Sequence, residues 1–166
     1  MDKRWIGIIL ILIAGLSCMF VIVINSSSVG SAVSVIEDVT ITIPPGYITS
    51  DDGQNFCQMV NQKTGENIRI KCIDGKTSHV AQYNKQLNTF KTQDEIVIHK
   101  NFTNKTVSII DYENITSDEG NKSYMYFDKC DHTFSMKMKG FADDKSRDQV
   151  YDFIVSHLKY DFKQRT

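Results

Sequence analysis

Charge is absent from the first part of the chain beyond its opening residues. From Trp5 to Ile24 there is no Asp, Glu, Lys or Arg, and after Arg4 no basic residue occurs until Lys63. Also missing are a Gly-rich phosphate loop, a G-x-S-x-G elbow and an H-E-x-x-H pair, which sets aside the familiar nucleotide-binding and hydrolase signatures. No block of one sign appears either: 19 Lys and Arg stand against 20 Asp and Glu. Without a basic stripe, nucleic acid is not expected as a partner.

What is there begins with the uncharged run Trp5 to Ile24. At roughly 1.5 Å per residue a helix of this length spans about 30 Å, the thickness of a bilayer core. Lys3 and Arg4 precede it directly, so the positive-inside rule places the N-terminus in the cytoplasm and the remainder outside, with Trp5 at the inner interface. A cleaved signal peptide is the alternative, with Gly30-Ser31-Ala32 as its cleavage site. Cys18 does not fit a lipobox, because Gly15 stands where Leu is wanted and the apolar run continues past the cysteine. The expected parsing is residues 1–4 cytoplasmic, 5–24 transmembrane helix or uncleaved signal anchor, 25–34 a small polar stalk, and 35–166 one extracytoplasmic domain.

Five of the ten asparagines open an Asn-x-Ser/Thr sequon: Asn25, Asn101, Asn104, Asn114 and Asn121. Such a share supports an outer-surface address and N-glycosylation.

Within the domain, Val39 to Ile43 alternates with period two and stops at Pro44-Pro45-Gly46. Phe56 to Val60 and Asn67 to Ile73 flank Thr64-Gly65. A two-residue turn there sets Met59 opposite Ile70, Asn61 opposite Ile68 and Cys57 opposite Cys72, with Phe56, Gln58, Val60, Arg69 and Lys71 on the other face. Thr77 or Ser78 caps a helix whose inward stripe is Val80, Tyr83, Leu87 and Phe90. Strands are then expected at Glu95 to His99, Thr106 to Ile110, Tyr112 to Thr116, Ser123 to Phe127 and Thr133 to Lys139. In the last, Phe134, Met136 and Met138 face inward while Ser135, Lys137 and Lys139 face water. Asp143 or Asp144 caps a second helix with Val150, Phe153, Ile154 and Leu158 inward. The fold class is α+β: an antiparallel sheet with two packed helices, preceded by one transmembrane helix.

Chemistry-bearing residues are few. Cys57 and Cys72, placed opposite each other outside the cell, are a candidate disulfide, with two reduced core cysteines as the alternative. Cys130 has no evident mate. Cys130, Asp131 and His132 lack the second ligand pair of a structural zinc site, so no metal is expected. His79, His99 and His157 are scattered with no nucleophile beside them, and Asp118-Glu119 reads as a turn, since it lacks the alternating ligands of a calcium loop. Tyr124, Tyr126, Phe127, Phe134, Met136 and Met138 read as core. No catalytic or cofactor-binding residue is assigned.

The opening Thr40-Ile41-Thr42-Ile43-Pro44-Pro45-Gly46-Tyr47, the late hairpin Tyr124-Met125-Tyr126-Phe127 to Phe134-Ser135-Met136-Lys137-Met138, and the closing helix Val150-Tyr151-Asp152-Phe153-Ile154-Val155-Ser156 resemble the PsbP/Mog1-like group of small exported α/β/α domains. That resemblance implies a binding or assembly accessory rather than an enzyme. The anchor and sequons together also look like small surface proteins of methanogenic archaea. The expected function is a membrane-anchored, non-catalytic binding module, with an envelope protein or surface polymer as partner and a sheet face or edge as its contact. An enzyme with an unrecognised site is the first alternative. A pilin-like subunit is the second, although the processing site and early acidic residue of that class are lacking.

Overall fold

Two apolar alternations in neighbouring strands, Ile68-Ile70-Cys72 and Phe134-Met136-Met138, set the architecture, because each must turn the same side to a core. The computed structural model describes residues 33–73 and 76–160. The expected membrane helix and Asn25 lie outside them. In chain order the elements are β1 (Val33–Ile36), β2 (Val39–Thr42), β3 (Tyr47–Gly53), β4 (Phe56–Asn61), β5 (Asn67–Ile73), α1 (His79–Lys91), β6 (Ile96–Thr103), β7 (Val107–Asn114), β8 (Asn121–Lys129), β9 (His132–Lys139), α2 (Asp144–His157) and β10 (Lys159–Tyr160). Seven strands form one antiparallel sheet in the order β3-β4-β5-β9-β8-β7-β6, and β1-β2-β10 form a second. The fold is α+β, mainly antiparallel sheet with two helices.

The large sheet has two unlike faces. On one, Cys57, Met59, Ile68, Ile70, Cys72, Phe134, Met136, Met138, Met125, Phe127 and Ile109 are all buried, in one core with Ile36, Val39, Ile41, Ile154 and Leu158 of the small sheet and the α2 region. Phe127 and Phe134 stack there at 5.4 Å. Fully burying one such side chain is worth about 1.5–3 kcal/mol, so this face is the main source of stability. On the other face α1 sets Tyr83, Leu87 and Phe90 against Ile110, Tyr112 and Tyr126. It packs on β6, β7 and β8 and touches β9, and Ile73 at the end of β5 packs against the same cluster.

Several expectations need correction. Thr64-Gly65 is not a two-residue turn. A type I′ turn needs positive φ at both central residues, and only Gly65 adopts it, at 78°, while β-branched Thr64 does not. Instead the Asn61 side-chain oxygen accepts from the Lys63 and Thr64 amides, and the Asn61 amide donates to the Glu66 carbonyl, closing a longer loop. The register moves by two: Cys57 faces Ile70 and Met59 faces Ile68. Faces are conserved under an even shift, but partners are not.

Tyr112 to Thr116 is not a strand of its own; Tyr112 to Asn114 complete β7. In α1, Ser78 is the cap, accepting from the Ala81 amide, but the inward stripe is His79, Tyr83, Leu87 and Phe90, and Val80 is exposed. Asp143 caps α2, where Ile154 is buried with Arg147, and Val150 and Phe153 are half-buried. β3 is an added strand at the sheet edge. Both edge strands carry a bulge, at Ser50 in β3 and at His99 in β6.

Candidate functional site: the uncovered half of the sheet

Past the ends of β5 and β9 nearest α1, their outer face and that of β4 form a lattice whose rows follow from the strand register. One row reads Gln58, Arg69, Lys137, Tyr124 from β4 to β8; the row on one side reads Val60, Asn67, Lys139, Lys122, and on the other Phe56, Lys71, Ser135, Tyr126. Five cations thus share one face, although the whole chain is nearly neutral. Outward alternation in β5, β8 and β9 puts them there.

Two like-charge pairs lie directly across strands, Arg69 with Lys137 and Lys122 with Lys139. Such pairs are destabilising unless something intervenes. For Lys122 and Lys139 it does: Glu119, in the β7–β8 turn, holds Lys122 at 2.5 Å and Lys139 at 3.0 Å. Hydrogen bonds to these lysines, first Lys122 and then Lys139, hold the Glu119 carboxyl down at about 2. Arg69 and Lys137 have no such bridge; among the described residues neither forms an ion pair with a carboxylate. Burial, and then repulsion from Lys122, Lys139 and Arg69 against the pull of Glu119, lowers the Lys137 ammonium from its ordinary value. Asp51, beside Gln58 on edge strand β3, accepts from the Asp52 amide.

The aromatic rings of this face are capped. The Arg69 guanidinium lies 4.3 Å over the Phe56 ring, and Lys137 Nζ lies 5.8 Å from the Tyr124 ring centroid. Tyr124 itself stacks between Tyr112 and Tyr126 at 5.7 and 6.0 Å, which continues the α1 core toward the open half.

Two other polar clusters bind the fold together. Arg147, 3 % exposed, joins α2 to the large sheet: its Nη1 donates to Asp111 at 2.8 Å and Ser123 at 3.0 Å and lies 3.1 Å from Asp144, while Nε donates to Asp148 at 2.9 Å. Nη2 is 2.8 Å from the same Asp148 oxygen, but no N–H is aimed at it, so it is a buried nitrogen without a hydrogen bond. Burial would lower the guanidinium pKa, yet the Asp148 hydrogen bond and the surrounding carboxylates outweigh it and raise it. The adjoining cleft, about 290 Å³ in volume, has Lys100 and Asp144 paired across it at 3.1 Å. The second cluster fastens the start of α1. His79 Nδ1 lies 2.7 Å from Asp128 and Nε2 3.2 Å from the Asn104 carbonyl oxygen, and Thr133 donates to Asp128 at 2.7 Å. For Asp128, burial acts upward, but the bonds from His79 and Thr133 outweigh it and lower its pKa.

Of the residues singled out in the sequence, Cys57 and Cys72 are both buried on the closed face, diagonal rather than opposite; Cys72 faces Phe134. Diagonal neighbours stand about 7–8 Å apart, beyond the roughly 4.4–6.8 Å between Cα atoms that a disulfide spans. Cys130 and Asp131 form the β8–β9 turn with φ of 52° and 57°. Their neighbour His132 pairs with Asp38 at 2.7 Å, Asp131 accepts from Tyr160, and Cys130 is directed toward the Leu158 carbonyl, so the three side chains diverge. Burial pushes the Cys130 thiol up.

The four sequons described lie on β6, β7, β8 and their turns, away from β4 and β5. Asn104 and Asn114 share one local geometry: each side-chain oxygen accepts from the amide and the hydroxyl of the sequon threonine, Thr106 or Thr116. Asn101 instead accepts from the Tyr83 hydroxyl, and Asn121 is exposed at the start of β8.

The cross-strand meeting of Arg69 and Lys137 was hidden in the sequence, because it depends on β5 and β9 becoming neighbours; the outward alternation of each strand was the available signal. No model of a known protein family and no curated protein matches the chain.

Proposed function

We propose that this chain is a membrane-anchored, non-catalytic binding or assembly module whose domain works on the extracytoplasmic side, through the uncovered half of its large sheet. The observation that carries this reading is the contrast along one face, where α1 covers the β6 to β8 half and β4, β5 and β9 keep a mainly polar and cationic surface, with Phe56 and Val60 at its β4 margin. The uncharged run at 5–24 supplies the anchor and Lys3 and Arg4 its orientation. The sequons at Asn101, Asn104, Asn114 and Asn121 suit an outer address, and glycans on them would leave the β4–β5 side open. The resemblance to the PsbP/Mog1-like group points the same way, toward an accessory rather than an enzyme. The Arg147 cleft favours this reading over an enzyme, since its carboxylates Asp111 and Asp144 are already committed to Arg147 and Lys100.

The test is capture from native membranes with the full-length chain in detergent as bait. Recovery of a defined envelope protein or polymer, lost when Gln58 and Ser135 on the open face are both replaced by Trp, is the expected result. Recovery of nothing above background overturns the proposal.

A further inference from the structure

Within one face of the sheet the same electrostatic problem occurs twice and is met internally only once. Lys122 and Lys139 stand across from each other and share the Glu119 carboxylate at 2.5 and 3.0 Å. Arg69 and Lys137 stand across from each other on the adjacent row, where no carboxylate of the described residues forms an ion pair with either and Asp51 lies beyond Gln58 at the sheet edge, and Lys71 follows on β5. From this contrast we infer that the Arg69–Lys137–Lys71 strip is a binding site for a carboxylate-bearing polysaccharide, whose acid groups take the place at Arg69 and Lys137 that Glu119 takes at Lys122 and Lys139. The inference rests on the binding-module reading above and names its ligand class.

The surroundings favour a glycan over other anions. Single-stranded nucleic acid bound without sequence preference stacks its bases on open aromatic platforms, whereas the Phe56 ring is capped by Arg69 and Tyr124 lies beneath Lys137. A protein partner needs an apolar anchor at the centre of its contact, and here the central row is Gln58, Arg69, Lys137. What stands between the cations is amide and hydroxyl: Gln58, Asn67 and Ser135. Such a surface matches a ligand dense in hydroxyls with acid groups at intervals. Successive outward residues on a strand lie about 6.5–7 Å apart and neighbouring strands about 4.8 Å apart, so one extended sugar chain reaches all three cations.

The experiment uses the full-length chain in detergent on immobilised polygalacturonate, with neutral dextran as control. Retention at low salt and release as salt rises are expected. Arg69→Gln with Lys137→Gln should weaken retention about tenfold or more, since two charge-assisted contacts are removed. Lys137→Glu serves as the folding control: it pairs with Arg69, so the thermal midpoint should hold or rise while retention falls. Glu119→Gln, which removes the internal carboxylate, should strengthen retention. Equal binding to neutral dextran, or wild-type retention by the Lys137→Glu chain, overturns the assignment. So does displacement by dextran sulfate or a single-stranded oligonucleotide at lower charge concentration than free polygalacturonate requires. Membrane capture that Lys137→Glu leaves intact would remove this ligand class while sparing the module itself.

Discussion

The two faces of β9 differ in what their side chains are used for. Phe134, Met136 and Met138 are all but inaccessible, covered by α2 and the small sheet, whereas Ser135, Lys137 and Lys139 alternate with them and remain half-buried on the reverse. One backbone produces both, because pleating sends successive side chains to opposite sides. The apolar set provides cohesion; in the polar set Lys139 is held by Glu119, while Ser135 and Lys137 face outward where something else can meet them. Tyr112, Tyr124 and Tyr126 mark the boundary on the reverse side, where the α1 core gives way to cations.

Substitutions should therefore divide by face, and the largest effect belongs to the closed one. Phe134→Ala should destabilise the domain by about 3–5 kcal/mol in urea unfolding; a loss below about 1 kcal/mol would show that this face is not sealed. Arg147→Ala comes next. It leaves Asp111 with a mostly buried, unmatched charge and should cost about 3 kcal/mol, largely regained when Arg147→Met is combined with Asp111→Leu. Failure of the double substitution to regain stability would assign Arg147 a role other than the ion pair.

On the open face the sign reverses. Lys137→Glu turns a like-charge cross-strand pair into an opposite one and should stabilise by about 0.2–1 kcal/mol, seen as a raised thermal midpoint. A clear fall would mean that Arg69 and Lys137 are not facing. Smaller still is the acid response of Glu119. Its folded carboxyl, held at about 2, lies below the ordinary carboxylate value of 4.5. Its contribution is therefore fully present above that ordinary value and is lost as pH falls toward 2. A carboxyl NMR titration should give that low midpoint, and Lys122→Met should move it upward. For Cys57 and Cys72 the diagonal register predicts no change: thiol labelling of these two positions in the denatured chain should give equal counts with and without reductant. A lower count without reductant would restore the Cys57–Cys72 bond and with it the sequence-based register.

Much of the closed face was legible in the sequence, because alternation in Thr133 to Lys139 and in Asn67 to Ile73 declares which side is inward whatever the partner strand. The register between β4 and β5 was not. It depends on whether Asn61 or a Thr64-Gly65 turn closes the loop, and that competition is settled by a side-chain oxygen bonding to two amides. Arg147 was overlooked, and His79 was read as one of three scattered histidines, for a related reason: an isolated Arg or His on a helix reads as solvent-facing until its carboxylate arrives from a distant strand. β3 carries Thr49 to Asp52 all exposed and shows no inward set by which a strand could be recognised. Of the candidate site, the outward cations were visible one strand at a time, but their pairing required the sheet order.

The two bulges bear on how copies of this domain tolerate one another. An added strand would have to match a regular ladder of amides and carbonyls along β3 or β6, and in each the ladder loses step partway, at Ser50 and at His99. Zipping of sheets edge to edge is the usual route from crowding to aggregation. If the proposed ligand binds, copies whose large sheets do not pair at β3 or β6 would engage one long chain in parallel through their open faces, where individually weak contacts add up to firm attachment.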